Sequence, residues 1–294
     1  VLNKGEYSRS KHKNRIANIS AFEVLNFNSN YRVLELGNPL NTARTSYFHK
    51  SIGGYSAVKV KRTQEMIDRY FQSNYSILTN ALNSGNISSM QNMHFFNILH
   101  TKYIILDLNS SGVVGKPSQN PEEKPGVLPN PFALGNAWTV NNVRWVNNAD
   151  EEISTFEEPD FNPKNTVVID VRYKELVNES LDLSAGTLKL LDYKPNYLKY
   201  VSSSTGDALA VFSEIFYDKG WKAYINGKEV PHFRVNYILR GLMIPSGDSE
   251  IEFKFDLPIY NQASLISTIS SSIIILLFLL FILFKILDKE FPVI

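Results

Sequence analysis

The hydrophobic pattern is strongest at the C-terminal end of the chain. No residue from Leu257 to Phe284 carries a charge, and Ile273 to Phe284 are twelve consecutive large apolar residues. About 20 residues at ~1.5 Å rise each cover the roughly 30 Å hydrocarbon core of a bilayer. A buried helix of a soluble protein would show a polar face over this length. The pattern therefore predicts a transmembrane helix over residues 262–287 and a short cytoplasmic tail over 288–294.

The lysines around this segment indicate its orientation. Lys285 and Lys289 follow the apolar residues, whereas Lys254 is the nearest lysine before them. Because cytoplasmic flanks carry an excess of basic residues, we expect a cytoplasmic tail and the bulk of the chain on the other, extracytoplasmic side of the membrane. Membrane lipid is then an expected partner.

The chain before the apolar segment divides into two parts that differ in their predicted secondary structure. Residues 1–160 mix a predicted strand at Tyr31–Leu36, a helix at Val60–Phe71 and a strand at Lys102–Asp107, as expected for an α/β domain. Ser110–Pro131 holds five prolines and three glycines, which predicts an irregular region.

Residues 161–260 show short strand patterns separated by turn residues. Asn226-Gly227 predicts a tight hairpin in which Ala223 faces Val230 and Ile225 faces Lys228. Pro231 lacks an amide hydrogen, so its strand should lie at an edge. These patterns predict an antiparallel β-sandwich of about seven strands. The fold class is therefore α+β: an N-terminal α/β domain, then an antiparallel β-sandwich, then one C-terminal transmembrane helix.

Composition and charge exclude several functions. The formal net charge is +1, so the chain has no electrostatic footprint for nucleic acid. The chain contains no cysteine, and its five histidines are too scattered for a metal site. No nucleophile elbow, phosphate-binding loop or dinucleotide fingerprint occurs. The sequence thus assigns no catalytic residue, no metal and no cofactor.

Two features are candidates for binding or chemistry. A segment rich in basic and hydrogen-bonding groups predicts contact with an anion or glycan, with a tryptophan that could stack on a sugar; these residues are Arg44, His49, Tyr55, Lys59, Lys61, Arg62 and Trp138. The alternatives are a solvated loop leading into a helix, and a tryptophan that fills a core.

The acidic run after Asn148 predicts a capped helix whose carboxylates complement the helix dipole, with an acid/base pair as the alternative.

Three stretches carry a resemblance to a known family. They are Tyr47–Tyr55 (YFHKSIGGY), Leu134–Glu152 (LGNAWTVNNVRWVNNADEE) and Phe212–Gly247 with its GWKAYINGKEVP core. The chain resembles the C-terminal extracytoplasmic region and last membrane helix of YfhO-type bacterial membrane proteins. That resemblance implies a polytopic GT-C-like glycosyltransferase that moves sugar from a polyprenyl-phosphate carrier to cell-envelope glycan. The family's catalytic carboxylate lies in an early loop that has no match here, so no catalytic role is carried over.

The functional expectation follows from this resemblance. The chain would be the extracytoplasmic part of such an enzyme and would shape acceptor access, with the N-terminal membrane helices of the same protein, the lipid-linked sugar and the envelope glycan as partners. Because the chain opens on Val1, we expect the natural start to lie upstream. The alternative is a non-enzymatic membrane-anchored module that binds a glycan or a protein. A self-contained hydrolase has little support, since no paired carboxylates can be placed across one cleft.

Overall fold

The computed structural model describes residues 30–37, 39–41, 45–46, 49–54, 56, 58–106, 126–177 and 183–290. Within these residues the chain combines helices, four sheets and one long C-terminal helix. This architecture confirms the predicted α+β class.

A small three-stranded sheet contains the first strands. In spatial order they are β1 (Arg32–Glu35), β2 (Thr101–Leu106) and β3 (Gly126–Pro129). β1 and β2 match the predicted strands and run parallel. The prediction of an irregular Ser110–Pro131 is wrong at its end, because β3 pairs with β2 and places Leu128 opposite Ile104. Pro129 is tolerated because it ends the outer strand of this sheet.

The helices between β1 and β2 form the apolar cover of this part. A continuous helical run comprises α1 (Lys61–Met66), a π-helical segment (Ile67–Phe71) and α2 (Gln72–Ser84); a 3₁₀ turn (Ile87–Asn92) and α3 (His94–Ile98) follow. The predicted helix ended at Phe71, but the run continues to Gly85, whose left-handed φ of 72° ends it. The sequence pattern did not extend the predicted helix because α2 contains many polar residues. One of them, Asn74, is buried: its side-chain NH₂ donates to the Tyr70 carbonyl, and its side-chain oxygen accepts from the Phe95 amide.

The β-sandwich consists of two facing sheets. The five-stranded sheet has the order β11 (Lys228–Val230), β10 (Trp221–Ile225), β14 (Gly247–Phe255), β8 (Tyr197–Ser204) and β7 (Gly186–Lys194). The four-stranded sheet has the order β12 (Phe233–Val235), β13 (Leu239–Ile244), β9 (Ala208–Ile215) and β4 (Ala137–Val140). The predicted hairpin register and the edge position of β11 are both confirmed.

The remaining elements join the helical part to the sandwich. β5 (Asn142–Val146) pairs in parallel with β6 (Thr166–Asp170), and α4 (Ala149–Ser154) lies between them with a 3₁₀ turn (Thr155–Glu157); a second 3₁₀ turn (Val171–Leu176) follows β6. The predicted boundary near residue 160 stays a prediction, although the pairing of β4 with β9 crosses it.

The four-stranded sheet is buried on both faces. On β9, Leu209 and Val211 face the larger core with the helices, while Ala210 and Phe212 face the five-stranded sheet. β13 was missed in the sequence because Gly241 interrupts its pattern. A Cβ at Gly241 would lie 2.5 Å from a methyl of Val235, so the packing of β12 on β13 requires glycine there.

The C-terminal helix, α5 (Pro258–Glu290), follows β14 after only two residues. Its apolar stretch, Gln262–Ile286, has a mean hydropathy of 2.7 and is long and apolar enough to cross a membrane. None of this stretch is buried against the rest of the protein. The hydroxyls of Thr268, Ser270 and Ser272 each donate to the carbonyl four residues earlier, at 2.8–2.9 Å, so these three hydroxyl protons are satisfied within the helix.

Candidate functional site

The residues of the predicted basic segment do not share one environment. Arg44 and Tyr55 lie outside the described residues. Lys59 and Lys61 are exposed just before and at the start of α1, and the Lys61 side chain is 90% exposed. His49 is half-buried in the preceding loop. The anion-binding role of these residues stays a prediction.

Trp138 and Arg62 have structural partners. The indole of Trp138 packs against the larger core and donates to the Pro163 carbonyl at 3.0 Å. Arg62 donates to Glu152 at 2.7 Å, and the carboxylate of Glu152 is wholly buried. The charge of Arg62 is therefore already matched within the fold.

Glu152 connects α4 to the turn between β12 and β13. Its second oxygen accepts from the Tyr237 amide at 2.9 Å, and the Arg62 guanidinium lies 4.3 Å from the centre of the Tyr237 ring. The Tyr237 hydroxyl donates to Glu65 at 2.6 Å, while burial, with this carboxylate, raises the pKa of Tyr237 to about 12. The acidic run was predicted as a solvated, capped helix start. The predicted cap is present, because the Asn148 side chain accepts from the Glu151 amide at 2.9 Å. Glu152 is not solvated as predicted, since its buried carboxylate binds Arg62 and the Tyr237 amide.

A different group of charges lies inside the helix-proximal end of the sandwich. We call it the arginine cleft and define it by Arg234, Arg240, His232, Phe216, Trp221 and Phe253. Arg234 on β12 is the direct cross-strand partner of Arg240 on β13. Residues in such positions have Cβ atoms about 5 Å apart on the same face, and like charges there destabilise a sheet.

Arg240 forms the base of the arginine cleft. It is 3% exposed, and its guanidinium lies 4.0 Å from the Trp221 ring centre and 5.3 Å from that of Phe253. Its Nε donates to the Ile215 carbonyl at 3.2 Å, but no described residue accepts a hydrogen bond from Nη1. Burial lowers the pKa of Arg240, and the charge of Glu214 opposes that shift.

Arg234 and His232 form the half-buried mouth of the cleft. Nε and Nη2 of Arg234 are buried and have no acceptor among the described residues. His232 packs edge-on against Phe253 and tilted against Phe216, at 5.7 and 5.5 Å between ring centres. Burial, together with the charge of Arg240, lowers the pKa of His232 to about 4, so the ring is neutral at neutral pH. His232 therefore adds no positive charge to the two arginines.

Further charges surround the cleft. Glu214 pairs with Arg32 at 3.2 Å, so its one negative charge is shared. Lys50 lies over the Tyr193 ring, 3.0 Å from its centre, and hydrogen bonds to Asn30; burial lowers the pKa of Lys50 to about 8. The buried hydroxyl of Tyr200, whose pKa burial raises well above its usual range, also has no partner among the described residues. The result is an excess of positive charge and of unpartnered donors.

The position of the cleft follows from strand pairing. Trp221 begins β10 opposite Phe255, which ends β14. Their rings lie 5.4 Å apart, and α5 starts three residues after Phe255. The cleft therefore lies at the end of the sandwich from which the apolar helix leaves. Among the described residues, no three or more His, Cys, Asp or Glu side chains are arranged to hold a metal ion.

Across the part of the chain that the structure describes, these features define a β-rich protein with one helix able to cross a membrane. The family model described as "Bacterial membrane protein YfhO" matches residues 146–267, a stretch that runs from the end of β5 into α5. This match and the apolar helix fit a membrane protein of the YfhO type, which confirms the resemblance seen in the sequence. Searches of curated proteins and of solved structures gave no match.

Proposed function

We propose that this chain is the extracytoplasmic part of a GT-C-like glycosyltransferase that moves sugar from a polyprenyl-phosphate carrier to cell-envelope glycan. In this proposal the sandwich shapes the access of the acceptor. The similarity to the YfhO family supports the membrane setting, and glycosyl transfer is what the resemblance of the sequence implies.

The observation that carries the proposal is the short connection between sandwich and helix. Only Asp256 and Leu257 separate β14 from α5, and the Asp256 amide donates to the Gly220 carbonyl at 2.8 Å. The loop before β10 is thereby held next to the start of the helix. This loop exposes Tyr217 and Lys219 at the level where a lipid-linked sugar and its acceptor would meet.

The activity is tested in membranes of cells with and without the full-length protein. Labelled polyprenyl-phosphate sugar is supplied, and label in envelope glycan is measured. The proposal expects transfer that requires the protein. Unchanged glycan labelling in its absence would contradict the enzymatic proposal and favour the non-enzymatic anchored module.

The role in acceptor access is tested with surface variants at the two ends of the sandwich. We expect Tyr217→Ala with Lys219→Ala to raise the KM for acceptor glycan several-fold and to leave kcat nearly unchanged, because only uniform binding is lost. The matched control is Lys228→Ala, an exposed residue in the hairpin at the opposite end of β10. An equal effect of the double variant and of this control would contradict this role.

A further inference from the structure

We propose that the arginine cleft binds a phosphate group, held between Arg234 and Arg240. The inference does not depend on glycosyl transfer, since a phosphate site would exist whether or not sugar moves. It rests on the cross-strand pairing of the two arginines, on the burial of Arg240 and on the unpartnered nitrogens of both side chains.

The fold places two like charges together, and no carboxylate among the described residues forms an ion pair with either arginine, although the charge of Glu214 acts on Arg240 and that of Asp170 interacts with Arg234. Arg234 and Arg240 are register partners, and Arg240 is almost completely removed from water. The nearby rings attract the guanidinium of Arg240, but they accept no conventional hydrogen bond from Nη1. A buried guanidinium with an unmade hydrogen bond is costly, and an anion shared by both arginines would remove that cost and their mutual repulsion.

The number of free donors favours phosphate over carboxylate. Three guanidinium nitrogens have no acceptor among the described residues: Nη1 of Arg240 and Nε and Nη2 of Arg234. A carboxylate offers two oxygens in one plane, whereas a phosphate ester offers two or three oxygens arranged tetrahedrally. Neutral His232 can add a donor from its Nε2, which is also unpartnered.

The half-buried residues at the mouth of the cleft determine how a phosphate group would enter it. Arg234, His232 and Trp221 are half-buried at the mouth and Arg240 is 3% exposed, so a phosphate would reach Arg240 only after a rotamer change of His232 or Trp221. The walls are aromatic, and the cleft lies beside the start of α5. Two sources of the same chemistry fit this position: a lipid headgroup phosphate and a free phosphate.

The exposed lysines at this end of the sandwich do not explain such binding by themselves. Lys194 pairs with Asp192, Lys222 with Glu229 and Lys254 with Glu252, at 2.8–3.1 Å. These pairs neutralise three of the lysines near the mouth. Lys219, in the loop before β10, is also exposed, so substitution of Arg234 is what separates the two arginines from a general surface effect.

The experiment measures thermal unfolding of the full-length protein in nanodiscs. One arm compares phosphatidylcholine alone with phosphatidylcholine that contains phosphatidic acid, and the other compares inorganic phosphate with acetate at matched ionic strength. Wild-type protein should gain thermal stability from phosphatidic acid, from inorganic phosphate or from both, and not from acetate. A gain with lipid alone assigns the headgroup as the source. A gain with inorganic phosphate, alone or beside the lipid gain, assigns a site that takes free phosphate as well.

The variant Arg234→Gln should weaken phosphate binding about ten-fold or more, as expected for the loss of a charge-assisted contact. Arg144→Gln is the matched control, because Arg144 is a half-exposed arginine that pairs with Glu158 away from the cleft. Arg234→Lys keeps the charge and provides a second variant if Arg234→Gln fails to fold; it should bind at an intermediate strength. No stabilisation of wild-type protein in either arm, or equal stabilisation of the Arg234 and Arg144 variants, would overturn the proposal.

Discussion

Arg62 and Glu152 form a buried ion pair between residues 90 positions apart, with 2.7 Å between Nη1 and Oε2. The pair joins the start of α1 to α4, and through Glu152 to the β12–β13 turn. Taking a carboxylate out of water is costly unless it is paired and hydrogen-bonded. Arg62, which the sequence suggested as an anion-binding residue, therefore has a clear role inside the fold.

The first prediction concerns this pair. Arg62→Ala should lower the free energy of unfolding by about 3 kcal/mol, because it leaves the buried carboxylate of Glu152 without its counter-charge. Lys61→Ala is the matched control on the next residue. Its side chain is 90% exposed and 3.6 Å from Glu65, so its loss should cost less than about 0.5 kcal/mol.

Thermal or chemical unfolding of both variants, followed by tryptophan fluorescence, provides the measurement. Equal effects of the two substitutions would show that the pair contributes no more than a surface contact. A stable Arg62 variant with altered glycan binding would instead restore the predicted binding role of this residue.

The second prediction concerns the loop next to the membrane helix. Gly220 has a φ of +93°, and a Cβ there would lie 2.8–2.9 Å from side-chain atoms of Phe255 and Leu257. Gly220→Ala should therefore combine backbone strain with overpacking, for a destabilisation of about 3 kcal/mol. It should also loosen the loop that carries Tyr217 and Lys219.

Gly227→Ala separates the two causes. Gly227 has a φ of +81° but no atom within 4 Å of the added Cβ, so it should show the backbone strain alone, about 1 kcal/mol. Hydrogen exchange of the loop before β10 should rise in the Gly220 variant only. Similar exchange in both variants would contradict the close packing of this loop on the start of α5.

The third prediction concerns pH. Burial, together with Arg32 and Lys102, lowers the pKa of His100 from 6.5 to about 4. The folded state therefore keeps this ring neutral where the unfolded chain binds a proton. The corresponding stability is present above pH 6.5 and is lost as the pH falls towards 4, by at most about 3 kcal/mol.

His100→Asn removes this titration and suits the backbone, since His100 has a φ of 53° and asparagine tolerates the left-handed region. Unfolding measured between neutral pH and about pH 4 should show a smaller loss of stability in the variant than in the wild type. Parallel losses in both proteins would show that His100 does not carry a depressed pKa.

Local patterns predicted much of the fold. The apolar helix, the Asn226-Gly227 hairpin with its register and the strands β1 and β2 all follow from side-chain periodicity and turn chemistry. β3 and β13 were missed because their strand character depends on tertiary partners. For example, Gly241 is required because Val235 packs closely against it. The sequence around Gly241 gives no sign of this contact between two strands.

The sequence predicted less of the candidate site than of the fold. The stretch from Arg234 to Leu242 was noticed as part of a resemblance, but its arginines were not assigned a role. They become partners only when the left-handed residues Asn236 and Tyr237 reverse the chain, with φ values of 48° and 68°. A non-glycine turn of this kind has weak sequence signals. The pairing of Arg62 with Glu152 likewise depends on packing between distant elements.

The account depends most directly on α5 crossing the membrane with the sandwich on the outer side. These 294 residues contain no cysteine, so the labelling of a single introduced cysteine is compared with that of the unsubstituted protein as background. Lys228→Cys lies in the exposed hairpin of the sandwich, and Lys289→Cys follows the apolar stretch. Both are treated with a membrane-impermeant maleimide in spheroplasts. We expect Lys228→Cys to react in intact spheroplasts and Lys289→Cys to react only after permeabilisation. Reaction of both from the outside, or the reverse order, would contradict the account.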